Sequence, residues 1–169
     1  MSAAQRATQG AFEQVSGSVE DTRTFGERLG RALRAGDIVA LYGELGSGKT
    51  TLIQGIAQGL GLEPERIKSP TFVLMREHPG ATPLVHIDGY RLEGASAVAW
   101  LDVEWIFSPR KITVIEWAER FEDLLPEHAI TLRLGHVSTN RRRIVLVASS
   151  ARSAELLAHL QHSPVTPDS

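Results

Sequence analysis

Gly43-Glu44-Leu45-Gly46-Ser47-Gly48-Lys49-Thr50-Thr51 satisfies the pattern G-x-x-x-x-G-K-[ST] in full, and its flanks decide how the chain folds. Before it, Ile38-Val39-Ala40-Leu41-Tyr42 is a short apolar run suited to a buried strand. After it, Leu52, Ile53, Ile56, Ala57 and Leu60 recur at helical spacing, and Gly61 is a natural stop. Strand, loop and helix in this order set phosphates on a helix N-terminus, where unpaired N–H groups and the dipole favour anions. The glycines let successive backbone N–H groups turn inward, Lys49 reaches the β and γ phosphates, and the Thr50 hydroxyl reaches Mg2+. Glu44, Leu45, Gly46, Ser47, Gly48 and Thr51 complete the expected nucleotide-binding loop. Lysine is otherwise scarce: Lys68 and Lys111 are the only others, and a compact ammonium suits a loop-bound phosphate better than a planar guanidinium.

The rest of the composition narrows the class. At 169 residues, 42% apolar and 22% charged, the chain suits one soluble domain. It has no cysteine, so disulfides and thiolate metal sites are excluded. Its six histidines show no ligand spacing, and a net charge of −2 argues against broad electrostatic binding to nucleic acid. No apolar stretch approaches the roughly 20 residues of a membrane helix. Residues 1–17 lack the apolar core of a secretory signal and read as a flexible leader of a cytoplasmic protein. Arg141-Arg142-Arg143 reads as a solvated turn between two strands.

Phe25, Leu29, Ala32 and Leu33 mark a first helix, opened near Asp21-Thr22 and closed by Gly36. Ser69-Pro70 starts an extended segment over 71–77 that pairs as a hairpin with a strand at 84–88. Residues 112–115, 129–134 and 144–148 read as further strands, 154–160 as a closing helix, and 163–169 as a disordered tail. Trp100 and Trp105 are expected in the core. The expected fold is a single α/β P-loop NTPase domain over residues 18–162, with a mixed parallel and antiparallel sheet flanked by helices.

Such a site needs an acid at the end of a neighbouring strand to hold Mg2+ or its waters. Leu84-Val85-His86-Ile87-Asp88 and Ile112-Thr113-Val114-Ile115-Glu116 each end in one, and periodicity leaves open which lies nearer the metal. Thr71 is the candidate for a switch-type contact to the γ-phosphate or its metal. Trp117 either stacks beside the nucleotide or belongs to the core, and Arg91 either meets phosphate or pairs with Asp88.

The loop, together with Ser69-Pro70-Thr71-Phe72, His86-Ile87-Asp88-Gly89-Tyr90-Arg91-Leu92 and Ile115-Glu116-Trp117-Ala118-Glu119, resembles the TsaE family over roughly residues 18–160. TsaE proteins are the bacterial ATPases of tRNA threonylcarbamoyladenosine biosynthesis. The resemblance implies an ATPase working with TsaB and TsaD on adenosine 37 of ANN-decoding tRNAs, meeting tRNA only through that complex. By motif it implies Thr50 and Glu116 on Mg2+, Lys49 on the phosphates, Thr51 near the α-phosphate and Asp88 close to the γ-phosphate and the attacking water. Thr71 falls in a switch-like segment, and Glu119, Asn140 and Arg141 are implied nucleotide contacts. Glu44 and Ser47 depart from the family's usual loop, and Gly89 stands where leucine is usual, which loosens the expected placement of Asp88.

A small-molecule kinase is the competing reading, but a basic lid and acceptor pocket are not visible in the sequence. A GTP switch lacks its Asn-Lys-x-Asp motif. No arginine is obviously placed as a transition-state finger, so hydrolysis by the isolated chain is expected to be weak.

Overall fold

The computed structural model describes residues 9–70, 74–92 and 98–163. Strands β1 (Gly10–Ser16), β2 (Ile38–Tyr42), β3 (Met75–His78), β4 (Leu84–Asp88), β5 (Ile112–Glu116), β6 (Ile130–His136) and β7 (Arg142–Ala148) form one sheet in the order β1-β7-β6-β2-β5-β4-β3. The inner strands β6, β2, β5 and β4 run parallel, while β7 and β3 run antiparallel to them and β1 pairs antiparallel with β7 at the edge. The sheet is therefore mixed, as expected. Each of β2, β4 and β5 is buried on both faces, which is why they read as continuous apolar runs.

Helices α1 (Val19–Ala32), α2 (Lys49–Gly59) and α4 (Ala151–His162) cover one face. Phe25, Leu29, Leu52, Ile53, Ile56, Leu156 and Leu160 pack there on Val39, Leu41, Val114 and Leu132. Alternate residues of the same strands, Ala40, Ile87 and Ile115 among them, face the second layer, where α3 (Val103–Ile106), Phe121 and Leu125 close the core. Arg152 on α4 binds Asp37 through both carboxylate oxygens, at 2.9 and 2.7 Å, and so ties α4 to the start of β2.

The placement of α2, which carries the loop at its N-terminus, depends on glycine. Gly26 and Gly30 on α1 interlock with Gly55 and Gly59 on α2. A Cβ at Gly55 would fall 2.1 Å from the Arg23 carbonyl oxygen, and one at Gly30 would fall 2.3 Å from that of Ile56. Backbone therefore meets backbone, with no room for any side chain between the two helices.

Four sequence expectations are corrected. The leader does not extend to Gly17: residues 10–16 form β1, paired antiparallel with β7. Its inward positions include Gln14, which accepts from Arg28 at 3.3 Å, and Ser16, 2.6 Å from the Thr22 hydroxyl, so it carries no apolar alternation to read. Trp100 and Trp105 are not core residues; Trp100 is 90% exposed, and the Trp105 ring lies under the Lys111 ammonium at 3.8 Å. Arg142 and Arg143 belong to β7 rather than to the turn, and Arg143 pairs with Glu13 of β1 at 3.0 Å. The first helix begins at Val19 behind a Ser18 cap, earlier than the acidic residues suggested. The 1–8 and 164–169 portions of the expected leader and tail lie outside the described residues.

Candidate active site

At the C-terminal end of β2 the chain turns through the loop, with Gly46 and Gly48 at positive φ of 76° and 101°, and enters α2 at Lys49. The Lys49 ammonium is buried and folds back on the loop, donating to the Gly43 carbonyl and, at 2.9 Å, to that of Glu44. It also stands 4.3 Å from the centre of the Trp117 ring. Burial pushes its pKa below that of an ordinary lysine, while the carboxylates of Glu116, Glu119 and Asp88 pull it back up.

The sheet register brings the two strand-end acids together. Asp88 pairs with Glu116 across β4 and β5, and Leu41 of β2 pairs with Glu116 on its other side. Thr50 donates its hydroxyl to Glu116 Oε1 at 3.3 Å. Asp88 accepts from the Ser69 hydroxyl and, at 2.8 Å, from the Tyr90 backbone N–H. Gly89 does not loosen this corner. A Cβ there would fall 2.6 Å from the Phe121 ring, so that ring packs directly against the bare backbone, and the Gly89 N–H donates to the Glu116 carbonyl at 3.0 Å. Trp117 follows in the left-handed region at φ 55°, a strained conformation for a bulky residue, with its ring tilted against Tyr90 at 5.1 Å.

These groups line a cleft of about 750 Å³. From the loop it takes Leu45, Gly46, Gly48, Lys49, Thr50 and Thr51, and beyond the loop Asp88, Glu116, Trp117 and Asn140. Glu44, Ser47, Glu119 and Arg141 are not part of the lining: Glu44 contributes only its carbonyl to Lys49, Ser47 is buried behind the loop, and Glu119 is exposed. Arg142 lines the cleft in place of Arg141. Thr71 lies outside the described residues.

Sequence reasoning missed the far wall, which is Gly17, Ser18 and Val19 at the start of α1 with Thr139 on the β6–β7 turn. It also missed His86, whose Nε2 lies 2.6 Å from Glu116 Oε2 with both side chains buried. The signals for it were a polar residue inside an apolar strand, two before the terminal acid, and its place at the head of the family-like segment over residues 86–92.

Among the described residues no group of three or more His, Asp or Glu side chains converges into a metal cage. Mg2+ does not need one, since it keeps waters and phosphate oxygens and takes one or two carboxylates. The all-oxygen set of Thr50 and Glu116 with Asp88 alongside fits that demand.

A strand–loop–helix phosphate loop on a mixed sheet, with acids closing the adjacent strands, defines the P-loop class of α/β domain. The profile of a family described as threonylcarbamoyl adenosine biosynthesis protein TsaE matches residues 16–144. The chain belongs to the TsaE family. It is similar to the tRNA threonylcarbamoyladenosine biosynthesis protein TsaE of Treponema pallidum, 39% identical over 135 residues that span 78% of this chain and 97% of the relative. The protein of the same name from Bacillus subtilis is 32% identical over 142 residues, 83% of this chain and 88% of the relative. The crystal structure of Bacillus subtilis YdiB matches with a TM-score of 0.74 at 27% identity, covering 90% of this chain and 95% of that one.

Proposed function

We propose that this chain binds and hydrolyses Mg-ATP in the cytoplasm, in support of threonylcarbamoylation of adenosine 37 in ANN-decoding tRNAs, acting on a complex of TsaB and TsaD. The observation that carries the chemistry is the Thr50–Glu116 hydrogen bond beside the buried Lys49 ammonium, at the foot of a cleft with the volume of a nucleotide site. Family membership carries the pathway. Among the described residues no helix is long and apolar enough to cross a membrane.

Each residue has a role in this reading. Lys49 exchanges its bonds to the Gly43 and Glu44 carbonyls for phosphate oxygens, so the loop opens as it binds. Thr50 and Glu116 would hold the metal, which would neutralise charge on the phosphates. Asp88, fixed by Ser69 and the Tyr90 N–H, orients the attacking water, and Thr71 approaches from the neighbouring segment. Trp117 keeps bulk water away from Lys49.

Arg142 is the one arginine in the cleft lining among the described residues, and its Nη1 is bonded to the carbonyls of Ser138, Thr139 and Arg141 at 3.1 Å each. It is therefore tied to its own turn, which supports slow hydrolysis by the isolated chain and a partner-supplied acceleration. The test is phosphate release from ATP and GTP by the purified chain, alone and with TsaB and TsaD. Slow ATP turnover that rises severalfold with both partners is expected. Phosphoryl transfer to a metabolite instead of water, or turnover indifferent to the partners, overturns the reading.

A further inference from the structure

His86 is wholly buried at the centre of β4, where the flanking residues are Val85 and Ile87 and the register partners are Val114 on β5 and Arg76 on β3. Paired residues of a parallel sheet share a face and alternate along the strand. His86 is therefore on the same face as Val114 and, two residues on, Glu116. That diagonal brings Nε2 to 2.6 Å from Glu116 Oε2, while Glu116 Oε1 accepts from Thr50. The two carboxylate oxygens are thus given different tasks, one toward the sheet interior and one toward the loop.

Packing does not account for an imidazole here. Its Nδ1 is buried without a hydrogen-bond partner among the described residues, an unfavourable state that a leucine of similar volume would avoid. What only a nitrogen donor at this position supplies is the bond to Glu116. His86 itself does not line the cleft.

We infer that His86 is a positioning residue: its Nε2–H donates to Glu116 Oε2 and so holds Oε1 beside Thr50 for the metal. The inference rests on the Mg-nucleotide reading of the site. Partners of this kind behind a metal ligand typically change metal affinity 10–100-fold when removed.

The experiment measures Mn2+ binding by electron paramagnetic resonance to the protein with a non-hydrolysable ATP analogue, beside analogue binding in EDTA. For H86L the expected result is a metal affinity lower by about 10–100-fold, with metal-free analogue binding within about twofold of wild type. H86Q, whose amide keeps a donor near the Nε2 position, should restore most of the metal affinity, and H86N, with a shorter side chain, should not. In an E116Q background H86L should cost nothing further. Wild-type metal affinity in H86L overturns the inference, as does equal loss in H86Q and H86L or equal loss of metal-free binding. If H86L does not fold, the comparison of H86Q with H86N decides alone. Imidazole 1H–15N spectra of the metal-free protein test the contact independently: a proton on Nε2 is expected, and a bare Nε2 overturns the inference. Should the wild-type chain show no metal-dependent nucleotide binding, the Mg-ATP reading fails instead, and these spectra still judge the His86–Glu116 contact.

Discussion

The charged side chains on the phosphate side of the cleft are buried and bonded, whereas the opposite wall, Gly17–Val19 and Thr139–Asn140, is exposed. On the first, Lys49, Asp88 and Glu116 are each no more than 5% exposed, and each is held by identified partners. On the second, Val19 is 66% exposed. Charge placed in a desolvated, pre-bonded setting acts more strongly than the same charge in water and needs no reorganisation when substrate arrives. Under the proposed Mg-ATP reading, the contrast separates the task of holding phosphates and metal, built into the sheet, from that of holding the nucleoside, left to surface segments.

Lys49→Ala is the severest test of the buried wall. Removing the loop's ammonium should lower ATP affinity by about 2–5 kcal/mol, which a fluorescent-nucleotide titration would register as loss of measurable binding, with the circular dichroism spectrum unchanged. Binding within tenfold of wild type would remove the loop from the site. The scaffold beneath that wall is tested by Gly55→Ala. Its Cβ cannot fit 2.1 Å from the Arg23 carbonyl oxygen, so the interlocked helices must separate. Overpacking of this kind costs about 3 kcal/mol, or roughly 10 °C in the unfolding midpoint. Gly135→Ala, where nothing lies within 4 Å of a Cβ, is the matched control and should change stability by less than about 0.5 kcal/mol.

A pH titration separates the walls by charge. Burial depresses the Lys49 pKa below its ordinary value of 10.5. Bound phosphate stabilises the ammonium and raises that pKa, so binding takes up a proton in the interval between the two values. ATP affinity should therefore fall as pH rises through the depressed pKa, by at most about tenfold per pH unit, and the decline should start at a lower pH than a solvated lysine would give. Isothermal titration in buffers of different ionisation enthalpy would detect the proton uptake. Its absence up to about pH 10, near the ordinary lysine pKa, would mean that Lys49 does not meet the phosphates.

The parts of the molecule that the sequence disclosed are those governed by local periodicity. β2, the loop and α2 were legible because an apolar run, a glycine pattern and a 3.6-residue repeat adjoin one another, and Asp88 and Glu116 because each closes an apolar run. The helix interlock was not, since Gly26 and Gly30 look like weak helix positions until Gly55 and Gly59 are placed against them. β1 was hidden because Gln14 and Ser16 point inward to polar partners on α1. Trp100 and Trp105 misled because aromatic residues are most often buried. His86 left no spacing to detect: its partner is 30 residues away and adjacent only through the register of β4 and β5.

The exposed wall should yield the smallest effect, and Asn140→Ala measures it. Asn140 and Thr139 sit on a turn held by the Val137 and Ser138 amides on the Arg141 carbonyl, at 2.9 and 3.3 Å, and by Arg142. The turn therefore keeps its shape without the Asn140 side chain. A solvent-exposed contact of this kind contributes about 0.5–1 kcal/mol, so ATP affinity should drop two- to fivefold. Inorganic triphosphate makes the prediction specific, because it presents phosphates and no nucleoside. Lys49→Ala should weaken ATP and triphosphate alike, whereas Asn140→Ala should weaken ATP and leave triphosphate untouched. An Asn140→Ala loss as large as that of Lys49→Ala, or one shared with triphosphate, would mean that the turn reaches the phosphates and that the two walls form a single functional surface.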